Sequence, residues 1–408
     1  RIDSVNSTMD DQHARHQAYR YALLAAINGA AAPLSIALGG IAGSYLLAAD
    51  KTLATLPVTG FNLGVALTAF PAAMLMQRLG RRYGFMVGAG IGMTGLLVTT
   101  YGLMLHQFWL FALGLLIVGS ANSFTQQYRF AAADRGDSAF RAKAISWVLI
   151  GGVASAVIGP QLILMFKDML YPTPFAGAYL AGVGLFASSL LVMWGLSTER
   201  PVTSVPRVDG PEARPLRVIM RQPRFVVAVF CGTASYALMS FVMTAAPLAM
   251  IGCGFDVTQS TLGIQWHVMA MFAPSFFTGQ LIARFGKERI VATGLVILMV
   301  CAAVALHGVT LTHFYVALVL LGIGWNFGFI GATAMVTDTY APHEKHRTQG
   351  ANDMIVFGSV AFSSLMSGVA MNTVGWEIMN WLVIPVSVLC LASLWWLSFQ
   401  PKPILTPA

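Results

Sequence analysis

Long apolar segments separated by short polar stretches recur from about residue 20 to the end of the chain. Each apolar segment has about 20 residues or more, and as a helix it crosses the roughly 30 Å apolar core of a bilayer. The pattern predicts twelve transmembrane helices, at residues 20–48, 54–77, 83–105, 107–133, 141–166, 173–196, 223–250, 258–283, 288–308, 311–338, 348–373 and 376–399. We therefore expect an all-α membrane protein.

Composition supports a membrane protein and narrows the functional classes. Of the 408 residues, 57% are hydrophobic and only 10% are charged, whereas a soluble protein carries about 25% charged residues. The four cysteines show neither zinc-site spacing nor a disulfide framework. We find no nucleophile–base pair and no nucleotide-binding loop, so the sequence predicts neither an enzyme nor an organic cofactor.

The basic residues are distributed unevenly between the two sides of the predicted membrane protein. Of the 24 Lys and Arg residues, all but Lys51 and Lys167 fall in the terminal stretches, the middle linker and the loops on one side. Basic residues accumulate on the cytosolic side of membrane proteins, so we expect both termini in the cytosol. The same placement explains the net charge of +8 without nucleic-acid binding. The polar N-terminus carries no pattern of a cleavable signal peptide.

The sequence predicts two related halves. The loop after the second predicted helix contains Arg78 and Gly80, and Arg284 and Gly286 stand 206 positions later in the loop after the eighth. Between the halves lies a polar, proline-containing stretch. We predict an N-terminal six-helix bundle at 1–196, a cytosolic linker at 197–222 and a C-terminal six-helix bundle at 223–408, a parallel repeat typical of transporters.

The loop at 77–82, Gln-Arg-Leu-Gly-Arg-Arg, resembles the motif Gly-x-x-x-Asp-Arg-x-Gly-Arg-Arg of the major facilitator superfamily. Ala73 and Gln77 replace the first Gly and the Asp of that motif, and the second copy keeps Gly279 but has Ala283 at the Asp position. The resemblance implies a fold of two six-helix halves that alternate access to a substrate. It also implies a conformational role for the loop residues Arg78, Gly80, Arg81, Arg284 and Gly286.

A set of methionines and one histidine suggests a metal site in the C-terminal half. Met239 and Met243 share one face of the seventh predicted helix, and His267 and Met271 share one face of the eighth. Met243 and His267 are equally far along the chain from position 255 of the turn at 251–256, and so are Met239 and Met271. All four residues therefore lie about 18 to 24 Å from the turn along their helices. The sequence therefore predicts that they meet near the middle of the bilayer.

The residue types indicate which metal such a site would bind. Thioether and imidazole are neutral, soft to borderline donors that suit Cu(I). Methionines also serve as packing residues, but an ionisable residue deep within a span is a functional hypothesis by default, and His267 is such a residue. Cys231 and Cys253 flank the set and could relay ions. Pro247 and Pro274 are expected to bend the two helices, because proline lacks the N–H of a helical hydrogen bond.

The pairing Met-x-x-x-Met followed by His-x-x-x-Met resembles the CcoA-like copper importers of the same superfamily. The resemblance implies a monomeric copper importer of the bacterial inner membrane, supplying cbb3-type cytochrome oxidase, with copper bound by Met239, Met243, His267 and Met271. Two alternatives stay open. One is a transporter of an organic solute such as riboflavin, with a cavity lined by Trp325, Asn326, Tyr128 and Gln126. The other is a membrane copper sensor or chaperone that transports nothing.

Overall fold

The computed structural model describes residues 2–132, 138–198, 214–341 and 344–400, and this part of the chain is helical. The helices are α1 Ile2–Gly29, α2 Ala31–Leu46, α3 Leu56–Leu79, α4 Arg81–Met104, α5 Phe108–Thr125, α6 Tyr128–Ala132, α7 Ser138–Phe166, α8 Ala176–Trp194, α9 Leu216–Met220, α10 Pro223–Gly252, α11 Val257–Phe272, α12 Ser275–Phe285, α13 Lys287–His307, α14 Leu311–Val336, α15 Lys345–Thr373 and α16 Gly375–Leu397. A 3-10 helix, Thr337–Thr339, follows α14.

Within the described residues, eleven helical segments are long and apolar enough to cross a membrane. The remaining predicted span is the eighth along the chain, at 258–283. It is divided at Ala273–Pro274 into two shorter helices, α11 and α12. The fold class predicted from the pattern of apolar segments is therefore confirmed. The chain is an all-α, multi-pass membrane protein.

Two further predicted spans are also interrupted, and proline explains one interruption. The first span consists of α1 and α2, which meet at Ala30, where Pro33 has no N–H to donate to the carbonyl of Gly29. The predicted disturbance at Pro274 is a complete break of the helix. By contrast, α10 continues without interruption through Pro247. The fourth span divides between α5 and α6 at Gln126–Gln127, with no proline nearby.

Burial follows the expected repeat of the two halves. The first and seventh spans are each 67% buried and the fourth and tenth are each 61% buried, whereas the other spans range from 33% to 50%. The four most buried spans thus occupy matching positions, first and fourth, in each six-span half. Spans at these positions are surrounded by protein on most sides and form the centre of the molecule.

The two loop motifs have the same backbone conformation. Gly80 joins α3 to α4 with φ +82°, and Gly286 joins α12 to α13 with φ +91°. Both amides donate to a carbonyl four residues earlier, in Met76 and Ile282 respectively. Because side chains rarely tolerate this positive φ, glycine at both positions is a structural requirement of the repeat.

The second loop is held by ion pairs. Arg224 at the start of α10 bonds to Glu288 at 2.6 Å and to Asp338 at 2.7 Å, and Lys287 also reaches Asp338. At the matching positions of the first half, Arg224 and Asp338 are replaced by Ala18 and Ala132. The two loops therefore share a backbone shape, but the residues at these two positions of the ion-pair network differ between them.

The halves contact each other through three pairs of helices, α3 with α15, α7 with α11, and α2 with α10. In the first two pairs, the second span of one half packs against the fifth span of the other. Among the described residues, four hydrogen bonds join the halves: Thr55 Oγ1 to Ser364 O at 3.2 Å, Thr59 Oγ1 to Ser364 Oγ at 3.3 Å, Gln161 Nε2 to Gln265 Oε1 at 3.0 Å, and Asn372 Nδ2 to Lys51 O at 3.0 Å. These bonds lie at the loop before α3, at the start of α3 and toward the last residues of α7 and α15, on the side of the molecule opposite the chain termini. We call this side, which includes the loop at 47–55, the closed end.

The last part of the linker is fixed to the C-terminal half. Arg214 donates to Glu344 from its backbone amide, from Nε and from Nη2, at 2.7 to 2.9 Å. Glu344 is almost fully buried and directly precedes α15. The hydrogen bonds from Arg214 lower the pKa of this carboxyl from 4.5 to about 2. Most of the predicted linker, residues 199–213, lies outside the described residues.

Candidate functional site

The imidazole of His267 is fully buried in α11. Its Nδ1 lies 2.7 Å from the carbonyl oxygen of Leu318 on α14. A carbonyl only accepts hydrogen bonds, so Nδ1 carries the proton and Nε2 presents a lone pair. Nε2 is buried and has no hydrogen-bond partner among the residues that the structure describes. The ring therefore points into the C-terminal half with one acceptor unused.

The other predicted ligands lie in the same layer of that half. The sulfur of Met250 is 3.4 Å from the place where a Cβ on Gly263 would stand, so these two residues of α10 and α11 are level. Because the two helices are antiparallel, Met243 is level with Ala270, within one turn of His267 and Met271. Met239, Met243 and Met271 are all buried. We call Met239, Met243, His267 and Met271 the Met–His seam.

Close backbone packing seals the seam. A Cβ on Gly322 of α14 would lie 2.6 Å from the carbonyl oxygen of His267 and 2.9 Å from the amide nitrogen of Met271. A Cβ on Gly328 would lie 2.4 Å from Ser235 Oγ on α10. Glycine thus lets α14 approach both α11 and α10 closely. The seam lies where these three helices meet, and all four of its residues belong to the C-terminal half.

Asn326 has a structural place rather than the cavity-lining place predicted for it. Its Nδ2 lies 2.7 Å from both Met271 O and Ser275 Oγ, and its Oδ1 accepts from Thr278 Oγ1 at 2.6 Å. The break before Pro274 deprives carbonyls of α11 of their helical donors. Asn326 supplies a donor there, so its amide stabilises the junction of α11 and α12.

Tyr128 is also turned away from the centre of the molecule. It is buried in the N-terminal half, where Asn28 Nδ2 donates to its hydroxyl at 2.8 Å. Its ring packs against Phe85 with centroids 4.7 Å apart. Tyr128 therefore belongs to the core of that half, and the prediction that it lines a solute cavity is wrong.

The two flanking cysteines do not face the seam. Cys231 is buried against α16, with its sulfur 3.8 Å from the carbonyl oxygen of Cys390 and 3.7 Å from Ser393 Oγ. Cys253 is exposed in the turn between α10 and α11. The turn itself is as predicted, because Asp256 and Gln259 form a reciprocal capping box at the start of α11.

Four aromatic rings form a cluster in the centre of the molecule, contributed by α10, α14 and α15. The ring of Tyr236 lies 5.2 Å from Trp325, 4.9 Å from Phe329 and 5.9 Å from Phe357, centroid to centroid. Trp325 and Phe329 are stacked with an interplanar angle of 16°. The indole Nε1 of Trp325 is buried without a hydrogen-bond partner. We call these four residues the aromatic cluster.

Polar side chains from both halves lie beside the aromatic cluster. Arg129 of α6 interacts electrostatically with Asp353 of α15 and with the phenol of Tyr236. Asp353 lies one helical turn before Phe357, which places the carboxylate next to the cluster. Arg129, Asp353 and Gln126 are all exposed. Arg129 and Asp353 lie near the ends of α6 and α15 on the side opposite the closed end, so their exposure indicates a cavity between the halves that is open on that side.

Sequence reasoning did not connect Arg129 with Asp353, and it missed Tyr236, Phe329 and Phe357. Local spacing reveals pairs on one helix, whereas these residues come from four helices far apart in the chain. The signal that could have pointed to this site is the chemical type of one residue. Asp353 is an acid close to a span, and such residues are rarely without a function.

Two similar helical halves, closed at one end and enclosing a polar and aromatic cavity that opens at the other, define a secondary transporter that works by alternating access. The family model of the Major Facilitator Superfamily matches residues 21–306 and again 267–407. The chain belongs to this superfamily, and it is a transporter rather than an enzyme.

Relatives and solved structures agree with this assignment. The chain is 48% identical to the riboflavin transporter RfnT of Brucella anthropi over 377 residues, covering 92% of this chain and 94% of that protein. Its fold is similar to that of a mutant of the nucleoside transporter NupG, with a TM-score of 0.68 at 13% identity over 94% of this chain and 100% of the other. The human organic anion transporter MFSD10 gives a TM-score of 0.64 at 15% identity, covering 93% and 99%.

Proposed function

We propose that the protein imports riboflavin or a closely related flavin across a bacterial inner membrane, with both termini in the cytosol. The orientation is supported by the basic residues, which concentrate on the side of the termini. The substrate class is supported by the relative at 48% identity, which is named a riboflavin transporter. Organic-solute transport, the first alternative from the sequence, thus becomes the main proposal.

The observation that carries the proposal is the aromatic cluster beside polar groups from both halves. A flavin is a planar, three-ring heteroaromatic system with a chain of hydroxyl groups. The stacked rings of Trp325 and Phe329 offer an aromatic surface of the kind on which planar rings pack. The exposed amide of Gln126 offers hydrogen bonds to hydroxyl or carbonyl groups. The buried indole N–H of Trp325 has no partner among the described residues and would become a further donor if the cluster opened to a ligand.

Uptake of labelled riboflavin into riboflavin-requiring cells tests the proposal. Cells expressing the full chain should accumulate riboflavin, and unlabelled riboflavin should compete while copper should have no effect. Trp325→Ala should reduce uptake about tenfold or more at equal protein level, whereas Trp109→Ala, at an exposed site in α5, should leave it unchanged. Failure of the wild-type chain to raise riboflavin uptake would refute the proposal.

A second candidate is import of copper, and the Met–His seam favours it. His267 offers a buried, unpaired Nε2 lone pair in a layer with three thioethers, a neutral donor set that suits Cu(I). The copper-importer resemblance would direct this copper to cbb3-type cytochrome oxidase. Flavin import has the stronger support, since the riboflavin transporter is 48% identical and all four residues of the seam are buried.

Copper uptake into the same cells tests the second candidate. If copper is the transported substrate, copper uptake must depend on the full chain. It must also be lost in His267→Ala at an unchanged protein level. The matched control is Met250→Leu, a buried methionine of α10 outside the seam. Equal copper uptake with and without the chain would eliminate this candidate and would leave flavin import intact.

A further inference from the structure

Arg129 and Asp353 are oppositely charged side chains beside the aromatic cluster, and they come from different halves of the protein. Arg129 belongs to α6 and Asp353 to α15. They interact electrostatically, but no N–O distance of 4.0 Å or less joins them in the described part of the chain. The two groups therefore face each other across a gap rather than forming a closed ion pair.

Each group has hydrogen-bonding capacity left for a ligand. Asp353 Oδ1 accepts a hydrogen bond from Asn352 Nδ2 at 3.0 Å, and Oδ2 is available. A carboxylate is an acceptor only, and a guanidinium is a donor only, with five N–H groups in a planar fork. The gap thus presents an acceptor on one side and several donors on the other.

The aromatic cluster fixes the plane in which a ligand would lie beside this pair. Phe357 is one helical turn from Asp353, and its ring is 5.9 Å from that of Tyr236. Tyr236 in turn interacts with Arg129. A ring packed on the cluster would therefore lie beside the carboxylate and the guanidinium.

We infer that Arg129 and Asp353 recognise the imide edge of a planar heteroaromatic substrate, an inference that rests on the proposed flavin transport. The pyrimidine ring of a flavin has one N–H donor, at N3, between two carbonyl acceptors. Asp353 accepts from N3–H, and Arg129 donates to a neighbouring carbonyl oxygen. Because the two side chains carry opposite charges, the site suits an uncharged edge of this donor and acceptor pattern. The pair is thus a specificity determinant contributed by both halves.

Analogues that differ only at this edge test the inference on the purified full chain. Riboflavin binding is followed by quenching of flavin fluorescence, and other flavins are added as competitors. 3-Methylriboflavin lacks the N3–H donor, and roseoflavin, which differs only at position 8, keeps it. A site built around a hydrogen bond rejects the analogue that lacks it, so 3-methylriboflavin should compete about tenfold more weakly than riboflavin or worse. Roseoflavin should compete within about threefold of riboflavin.

A variant connects the discrimination to Asp353. In Asp353→Ala, riboflavin should bind about as weakly as 3-methylriboflavin, so that the ratio between them falls below about threefold. The matched control is Asp168→Asn, an exposed carboxylate near the closed end, which should keep the wild-type ratio. Size-exclusion profiles of each variant report folding, and the analogue comparison on the wild-type chain does not depend on any variant.

The outcomes separate this inference from the proposed function. Equal competition by 3-methylriboflavin and riboflavin would overturn imide recognition and leave flavin transport standing. Riboflavin that binds with the expected discrimination but is not taken up by cells would refute the proposed transport and support imide recognition. Discrimination that persists in Asp353→Ala would also overturn the assignment to this pair.

Discussion

The Met–His seam and the cavity between the halves contain the two most distinctive sets of side chains, and they differ in access. The seam lies where α10, α11 and α14 pack with glycine at the contacts, and all four of its residues are buried. The cavity is shared by α6, α10, α14 and α15, and its polar side chains are exposed. Alternating access requires a site that both halves can cover and uncover. The cavity has side chains from both halves in this structure, whereas the seam is buried and its four residues belong to one half.

This difference predicts two kinds of mutational effect. Changes between the halves should alter transport with little effect on stability, because they shift the balance between conformations. Changes around the seam should lower the stability of the C-terminal half, because they disturb packing within one bundle.

The largest expected effect is on transport and comes from Gly368 at the closed end. A Cβ there would lie 2.2 Å from Thr55 Oγ1 on the other half. Overpacking costs about 1–3 kcal/mol, which displaces a two-state equilibrium by roughly five- to a hundredfold. Gly368→Ala should therefore reduce riboflavin uptake about tenfold, with a nearly unchanged Tm.

Two companion variants sharpen this prediction. Thr55→Ala combined with Gly368→Ala removes the clashing hydroxyl and should restore most of the uptake. Gly350→Ala changes another glycine of α15 that has open space around it, and it should transport normally. A Gly368→Ala protein with full uptake would show that the closed end is not part of the transport cycle.

The second-largest expected effect is a loss of stability at the junction of α11 and α12. Asn326→Leu removes a side chain that makes three hydrogen bonds, to Met271, Ser275 and Thr278. Leaving such buried groups without partners costs about 1–3 kcal/mol for each group that stays unsatisfied. We expect a loss of about 3 kcal/mol, measured as a lower Tm in detergent. A Tm equal to that of the wild type would mean that the broken helix does not need this amide.

A smaller loss of stability is expected at the contact between α14 and α11. In Gly322→Ala the added methyl would meet backbone atoms of His267 and Met271, which cannot rotate away. We expect a destabilisation of about 2 kcal/mol and a lower Tm. Gly279→Ala has no atom within 4 Å of the new Cβ and serves as the control. Equal Tm values for the two variants would contradict close packing at the seam.

The smallest effect is a pH dependence at the linker, outside both regions. The pKa of Glu344 lies at about 2 in the folded protein, below its ordinary value of 4.5, because Arg214 hydrogen-bonds to the carboxylate. Stability from this carboxylate is present above pH 4.5 and is lost as the pH falls toward 2. The Tm should therefore fall over this interval by about 2 °C more in the wild type than in Glu344→Gln. Parallel curves for the two proteins would exclude the contribution.

The fold could be predicted almost completely from the sequence, for a physical reason. A bilayer requires spans of about 20 apolar residues, so length and hydropathy alone locate the spans. The repeat was visible because Gly80 and Gly286 meet the same backbone requirement. The interruption at Ala30 was missed, although Pro33 stands three residues later, and the one between α5 and α6 carries no proline signal.

The candidate site was harder to predict, because spacing along one helix draws attention to neighbours in the chain. That reasoning found Met239, Met243, His267 and Met271, and the structure buries all of them in one half. It assigned Asn326 and Tyr128 to a cavity, whereas packing and hydrogen bonds place both side chains in the packed interiors of the two helix bundles. Trp325 was also singled out, and it lies in the aromatic cluster. Its partners Tyr236, Phe329 and Phe357 come together only through the tertiary fold.

The central claim is that the transported solute binds in the cavity between the halves and not in the Met–His seam. The most direct test compares riboflavin binding by purified wild-type, Trp325→Ala and His267→Leu proteins through quenching of flavin fluorescence. The account predicts a dissociation constant about tenfold higher or more for Trp325→Ala and within about twofold of the wild type for His267→Leu. Binding that survives in Trp325→Ala and is lost in a folded His267→Leu protein would contradict it.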